Sequence, residues 1–290
     1  MLDKSIFITK GVPMRFVQQF AKTAMVITLS TLSTLALAAT SQSNLSSFNA
    51  AQQTQIKNYV HDAVPKVIMS KPKVVLDAAK KYQLTQQQQQ TLSAKKVILA
   101  KINDFLRNPK TPVENPTGKV TLVEFFDYQC SVCHMMFPVI NQVAKQFPNL
   151  RLVYKDLPIF GPGSVYAAKG SFAAYQQSPQ LYLAYRNALM QSDKMEGKLK
   201  TADVDAIAQK VGLNMTKFHQ TINSPAVNQE LQNNAALAQS LKLVGTPAMI
   251  IAPTNATSSL PMNKLVFIPG GARPAQLAAA VAAIEKASGN

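Results

Sequence analysis

The sequence predicts an α/β fold whose sheet-forming order is interrupted by a long helical insertion and preceded by an α-helical extension. Three observations predict it. A β-branched and aromatic run at Val120, Leu122, Val123, Phe125 and Phe126 leads straight into Cys130-Ser131-Val132-Cys133 and a helical continuation. Further strand-like runs at 150–155, 248–252 and 265–268 are separated by a helical pattern over 164–242. Ahead of them, residues 50–106 carry three apolar stripes at helical spacing, closed by a proline-rich joint.

The first strand and its two cysteines carry the chemistry. A helix N-terminus presents unpaired N–H groups and a partial positive charge, and both stabilise a thiolate. Cys130, at the strand-to-helix junction, is therefore the candidate nucleophile, and Cys133, one turn on, the candidate resolving thiol. They are the only two cysteines in 290 residues, so no disulfide framework exists, and a bridge closing so short a loop constrains the unfolded chain weakly. Zinc needs four ligands, and the histidines His61, His134 and His219 offer only a mixed, unusually spaced set, so no metal is expected. The run Cys130 to His134 also matches the Cys-x-x-Cys-His pattern of c-type haem attachment, which spacing alone does not exclude.

Residues 1–38 read as an export signal: Lys4, Lys10, Arg15 and Lys22, then a diluted apolar run over 24–37, then the small-residue cleavage signal Ala36-Leu37-Ala38. Residues 14–38 alone make a complete signal, so Met1 and Met14 are alternative starts. The apolar run falls well short of the ~20 residues a bilayer span needs. Export to an oxidising compartment, the periplasm, suits dithiol chemistry. The whole chain carries +16, and removal of four basic residues and one acidic leaves about +13. These charges are spread out rather than gathered in a stripe with aromatics, so nucleic acid is not an expected partner.

The extension spans residues 39–111, with a polar lead-in to about residue 50. Ile56, Tyr59, Val60, Ala63 and Val64 share one face; Val75, Ala78, Ala79 and Tyr82 a second; Ile98, Ile102 and Phe105 a third. Pro65 and Pro72 are expected to separate the first two, and the run Gln86 to Gln90 to form a solvated face or turn. The stripes cannot close a core alone. They must dock on the main domain or on a second copy, which motivates a homodimer through this region. Residues 108–118, with three prolines, form the joint into the main domain, residues 112–290. Its helical insertion, about 163–242, breaks near Ser178-Pro179, Gly197, Gly212 and Ser224-Pro225, and an Ala-rich helix over 274–287 closes the chain.

This order, read with four motifs, resembles the DsbA-like family of exported thiol–disulfide oxidoreductases. The matching residues are Val123-Glu124-Phe125-Phe126-Asp127-Tyr128-Gln129-Cys130, Lys155-Asp156-Leu157-Pro158-Ile159, Gly245-Thr246-Pro247 and Phe267-Ile268-Pro269-Gly270. The resemblance runs from about residue 101 to the C-terminus, and the preceding helices resemble the extension of a subgroup. It implies a thioredoxin fold with an inserted helical domain behind an α-helical N-terminal extension. It also implies a Cys130–Cys133 redox pair, a cis bond at Pro247 that with Thr246 receives a substrate strand, and no cofactor. Pro138, five residues after Cys133, matches a proline that bends the active-site helix in the thioredoxin superfamily, which counts against haem. The implied partners are unfolded exported proteins and a membrane redox protein that recycles the dithiol.

Glu124, in an otherwise apolar strand, is expected to be a buried acid that passes protons, its pKa raised by desolvation, with Lys155 as its charge partner. Where strongly oxidising members carry Pro-His, this chain carries Ser131-Val132, so a less acidified Cys130 and a less oxidising couple are expected, leaving isomerase or reductase activity open. His134 is expected to be a solvated helix residue. Tyr128, Met135, Met136 and Phe137 are either core or an adaptable surface for unfolded chains. The alternative from another class is an exported holdase or surface binding protein that uses the fold without turnover.

Overall fold

One mixed sheet is built from β1 (Val113–Glu114), β2 (Val120–Phe126), β3 (Leu150–Asp156), β4 (Ala248–Pro253) and β5 (Val266–Ile268), in the spatial order β1-β3-β2-β4-β5. β2 and β3 pair in parallel, whereas β4 is antiparallel to β2, β5 to β4, and the short β1 to β3. The computed structural model describes residues 48–288. The export signal expected over residues 1–38 and the start of the extension lie outside the described residues.

β2 and β3 are buried along their whole length, which explains why they read as nearly continuous apolar runs rather than alternating ones. Successive side chains still point to opposite faces. One face (Leu122, Phe126, Leu152, Tyr154, Met249, Ile251) packs in one core with α4 (Ser131–Gln146), α10 (Pro274–Ala287) and the helical insertion. The other face (Val123, Phe125, Val153, Ile250) packs with the end of α2 (Pro72–Ala100), with α3 (Ile102–Leu106) and with α9 (Pro225–Ser240).

The insertion enters between β3 and β4 as α5 (Pro162–Gln177), α6 (Pro179–Met190), α7 (Thr201–Lys210), α8 (Met215–Ile222) and α9. Its breaks fall where the punctuation predicts. Ser178 caps α6 by accepting from the Leu181 N–H, with Pro179 behind it. Gly212 takes the left-handed conformation just past the end of α7, and Gly197 takes it within the α6–α7 connection.

The chain divides at Val74/Val75 into two units. In the first, α1 (Ala50–Ser70) starts at a reciprocal capping box between Asn49 and Gln52. Pro65, expected to end the first stripe, lies inside α1; Pro72 does mark a break and opens α2. α1 has no buried residue, and its apolar positions Tyr59, Val60, Val64, Val67, Ile68 and Met69 are exposed.

The second unit starts well before the prolines at which the main domain was expected to begin. Ile98, Ile102, Phe105 and Leu106 belong to the core on the far face of the sheet, and the Phe105 ring meets Phe125 edge-on at 6.2 Å. The third stripe is thus part of the main domain's core. The proline joint itself holds β1, which the sequence did not reveal: two residues are too short to show a period. Asn115, in the left-handed region, donates from Nδ2 to the carbonyls of Pro148 and Leu150 and ties the joint to the sheet.

Phe105→Ala should therefore destabilise the protein by about 3–5 kcal/mol, the cost of emptying a large buried aromatic site, read from denaturant unfolding. A fragment starting at residue 112 should lose its cooperative transition while one starting at residue 75 keeps it; equal melting of the two would show that α3 is not core.

Candidate active site

The antiparallel pairing of β2 with β4, Phe125 opposite Ala248, brings the residues after β2 and before β4 to one end of the sheet. There Cys130 is the N-cap of α4, and its Sγ accepts from the Cys133 N–H at 3.4 Å. The Thr246–Pro247 bond is cis, and the Cys130 thiol donates to the Thr246 carbonyl at 3.3 Å. Both thiols are free, and the Cys133 side chain is fully buried.

This geometry splits the two pKa values. Cys130 is lowered from 9.0 to about 6, first because the Cys133 thiol donates to its sulfur, against the desolvation that opposes it. Thr246 and the N–H groups of Cys133 and Val132 act in the same direction as Cys133. Cys133 is pushed up by burial, by its own donation to Cys130 and by the charge of Glu124. The geometry favours the thiolate at Cys130 and the protonated thiol at Cys133. Val132 provides no charge to this thiolate, and only its N–H contributes.

The loop that delivers Cys130 is anchored by two residues to which the sequence assigned no role. Asp127 Oδ2 accepts from the N–H groups of Ile159 (2.6 Å) and Phe160 (3.1 Å), and its Oδ1 accepts from the Gln129 N–H and the Ser164 hydroxyl. Gln129 donates to Ser164 and to the Phe160 carbonyl, and accepts from the Leu199 N–H at 2.8 Å. The insertion is thereby clamped to the active-site loop. Gly163 permits the approach: a Cβ there would lie 2.0 Å from the Leu199 carbonyl oxygen. Both Asp127 and Gln129 lie in the run that carries the family resemblance, which is the one signal that pointed to them.

Glu124 is fully buried, on the same face of the sheet as Tyr154, its partner in β3. Burial raises its pKa, and Arg186 pulls it back. Lys155 is not its charge partner. β2 and β3 pair Glu124 with Tyr154 and Phe125 with Lys155, so the two charged side chains point to opposite faces. Lys155 donates instead to Thr111 Oγ1 (3.2 Å) and Asn234 Oδ1 (3.4 Å), and burial lowers it to about 8. The counter-charge comes from the insertion: Arg186 on α6 donates from Nη2 to Glu124 Oε2 at 2.7 Å, with both side chains buried. A charge on the face shared by Tyr182, Tyr185 and Leu189 was its sequence signal.

His134 is half-buried, and its Nε2 lies 2.7 Å from the Tyr128 carbonyl, so it braces the loop and is not merely solvated. Tyr128, Met136 and Phe137 are core, while Met135 is 64% exposed. No three His, Cys, Asp or Glu side chains group as a metal site among the described residues.

Comparison with known proteins agrees with this geometry. Residues 121–282 match the DSBA-like thioredoxin domain. The chain is a member of the DsbA-like family. This DsbA-like protein is 28% identical over 153 residues to the thiol:disulfide interchange protein DsbA of Bordetella pertussis, covering 52% of this chain and 71% of that one. Among solved structures, BcfH of Salmonella enterica Typhimurium superposes with a TM-score of 0.69 at 29% identity, over 81% of this chain and 98% of that one. A thioredoxin-like oxidoreductase from Silicibacter pomeroyi superposes with a TM-score of 0.55 at 34% identity, over 63% and 97%. The thioredoxin-like fold is shared with these solved structures.

The split of the two thiols has a pH signature. Alkylation of the reduced DsbA-like protein should modify Cys130 alone, with a rate that rises through a midpoint near pH 6; a midpoint near 9 would contradict the capped thiolate. Because the folded pKa of Cys130 lies below its unfolded value, the reduced form gains stability as pH rises from about 6 towards 9 and loses it as pH falls through 6. The disulfide form has no such dependence, so melting temperatures of the two forms should shift in favour of the reduced one across that window.

Proposed function

We propose that this DsbA-like protein forms or rearranges disulfides in exported proteins by cycling Cys130–Cys133. The observation that carries the proposal is one sulfur held between the N-terminus of α4 and the Thr246 carbonyl, with a second, protonated thiol buried one turn behind it. In the oxidising direction a substrate thiolate attacks Cys130 of the enzyme disulfide, Cys133 leaves, and a second substrate thiol resolves the mixed disulfide, so two substrate thiols are oxidised as the pair is reduced. In the isomerising direction the Cys130 thiolate opens a wrong substrate disulfide, and Cys133 provides the escape by displacing the substrate thiolate.

Thr246 and Pro247 border the reacting sulfur, where an extended substrate segment pairs as an added strand. Exposed Met135 and Val244 offer that segment apolar contact. Glu124 serves as the buried acid that exchanges a proton with Cys133. A membrane redox protein recycles the dithiol, and the leader at residues 1–38 directs the chain to the periplasm. The exposed apolar face of α1, from Tyr59 to Met69, supports self-association through the N-terminal helices, of which a homodimer is the simplest form. Thioether attachment of haem is opposed by the complete burial of Cys133 and by the engagement of His134 with the Tyr128 carbonyl.

Equilibration of the purified protein across a glutathione series, read by thiol alkylation and mass because the chain has no Trp, distinguishes the two directions. A couple more oxidising than the glutathione pool makes it a disulfide donor; a couple near or below the pool makes it an isomerase or reductase that needs a reduced partner. Cys130→Ser with Cys133→Ser should abolish refolding of a scrambled disulfide substrate; full performance by that variant would favour a holdase. Sedimentation of the mature protein beside a fragment starting at residue 75 should show more than one copy only in the longer form.

A further inference from the structure

Arg186 is the largest fully buried side chain of the molecule among the described residues. It reaches the sheet from α6, outside the strands and helix that carry the dithiol. Its guanidinium lies 4.0 Å from the centre of the Tyr154 ring and within 5.3 Å of those of Phe126 and Phe137, and its Nη2 holds Glu124 Oε2. Glu124 Oε1 is buried with no hydrogen-bond partner among the described residues. An acid with one oxygen held by a cation and the other unpartnered is poised to accept a proton.

We propose that Arg186 is a positioning residue that keeps Glu124 ionised and so sets the rate at which Cys133 attacks a mixed disulfide on Cys130. The inference rests on the thiol-exchange reading of the dithiol. In the step concerned, the Cys133 thiol gives its proton to the Glu124 carboxylate. Its electron pair forms the bond to Cys130 Sγ, the bond from Cys130 to the substrate sulfur breaks, and the substrate leaves as a thiolate. Removing the guanidinium leaves Glu124 facing Cys130 and Cys133 at the start of α4, Tyr154 on β3 and Tyr128 after β2, with Asp156 on the same face of β3 as Tyr154. None of these is a cation. The carboxyl then retains its proton at neutral pH and is lost as an acceptor. The insertion in this way contributes a working part of the redox site.

The test uses the full reduced protein and the aryl disulfide dithiobis(nitrobenzoate), which releases one coloured thiolate when Cys130 attacks it and a second when Cys133 resolves the adduct. For Arg186→Met the first phase should keep its rate. The second should slow by about tenfold or more at pH 7, with its acid-side inflection moved up by about one unit or more. Arg186→Lys should return the inflection towards its wild-type position. Glu124→Gln should abolish the inflection, and adding Arg186→Met to it should change the profile no further. That double variant, with a neutral pair in place of the ionic one, keeps the test available if Arg186→Met alone does not fold. A folded Arg186→Met with the wild-type second-phase profile overturns the proposal, as does a further shift in the Glu124→Gln background. A wild type that releases both thiolates yet neither oxidises nor rearranges protein substrates would overturn the functional reading alone.

Discussion

The site depends on a single sulfur being met from two sides, by the free N–H groups of a helix start and by a backbone carbonyl. The first contact lies within the Cys130–Cys133 segment, because Cys130 is the N-cap of α4 a few residues after β2 ends; the second does not. The carbonyl of Thr246 arrives because β4 pairs antiparallel to β2 with Phe125 opposite Ala248. A shift of that register by one residue would turn the side chains of β4 to the wrong face and withdraw Thr246 from the sulfur. The reactive thiol is therefore a product of strand pairing, and the stability of the central strands underlies its chemistry.

The helical insertion takes part in that arrangement. Asp127 and Gln129 bind the backbone and side chains of residues 159–164 and 199, so the loop bearing Cys130 is shaped from the insertion side. Arg186 reaches through to the sheet from α6, and its counterion lies in β2. Burying two charges is costly, and a hydrophobic pair of similar size is often as stable. A buried acid beside two thiols is consistent with a requirement of the chemistry rather than of folding. Lys155, equally buried, has the opposite character: it donates to Thr111 and Asn234 on the far face and links the joint before β2, β3 and α9.

The two thiols differ because one geometry treats them oppositely. Cys130 collects donors, among them Cys133 itself, and its charged form is favoured. Cys133 is desolvated and faces Glu124, and its neutral form is favoured. A dipeptide without charge between them leaves the polarisation to the Cys133 thiol, to Thr246 and to backbone N–H groups.

Much of this was legible in the sequence. The order of elements followed from periodicity and from prolines and glycines at the breaks, and the dithiol followed from two cysteines at a strand-to-helix junction, because these are local signals. What the sequence could not reveal was relational. Glu124 and Lys155 lie in neighbouring strands and read as a pair, yet a one-residue offset in register sends them to opposite faces. Arg186, 62 positions after Glu124, becomes its partner only when α6 packs on the sheet. The stripe at Ile98, Ile102 and Phe105 read as part of an extension because a stripe states that it must be buried and not against what. The sequence by itself determined which groups could do the chemistry, since residue type and local conformation are set along the chain. Tertiary structure alone decided which charge stands beside the dithiol and which helices belong to its core, since both depend on strand register and on contacts between segments far apart in the chain.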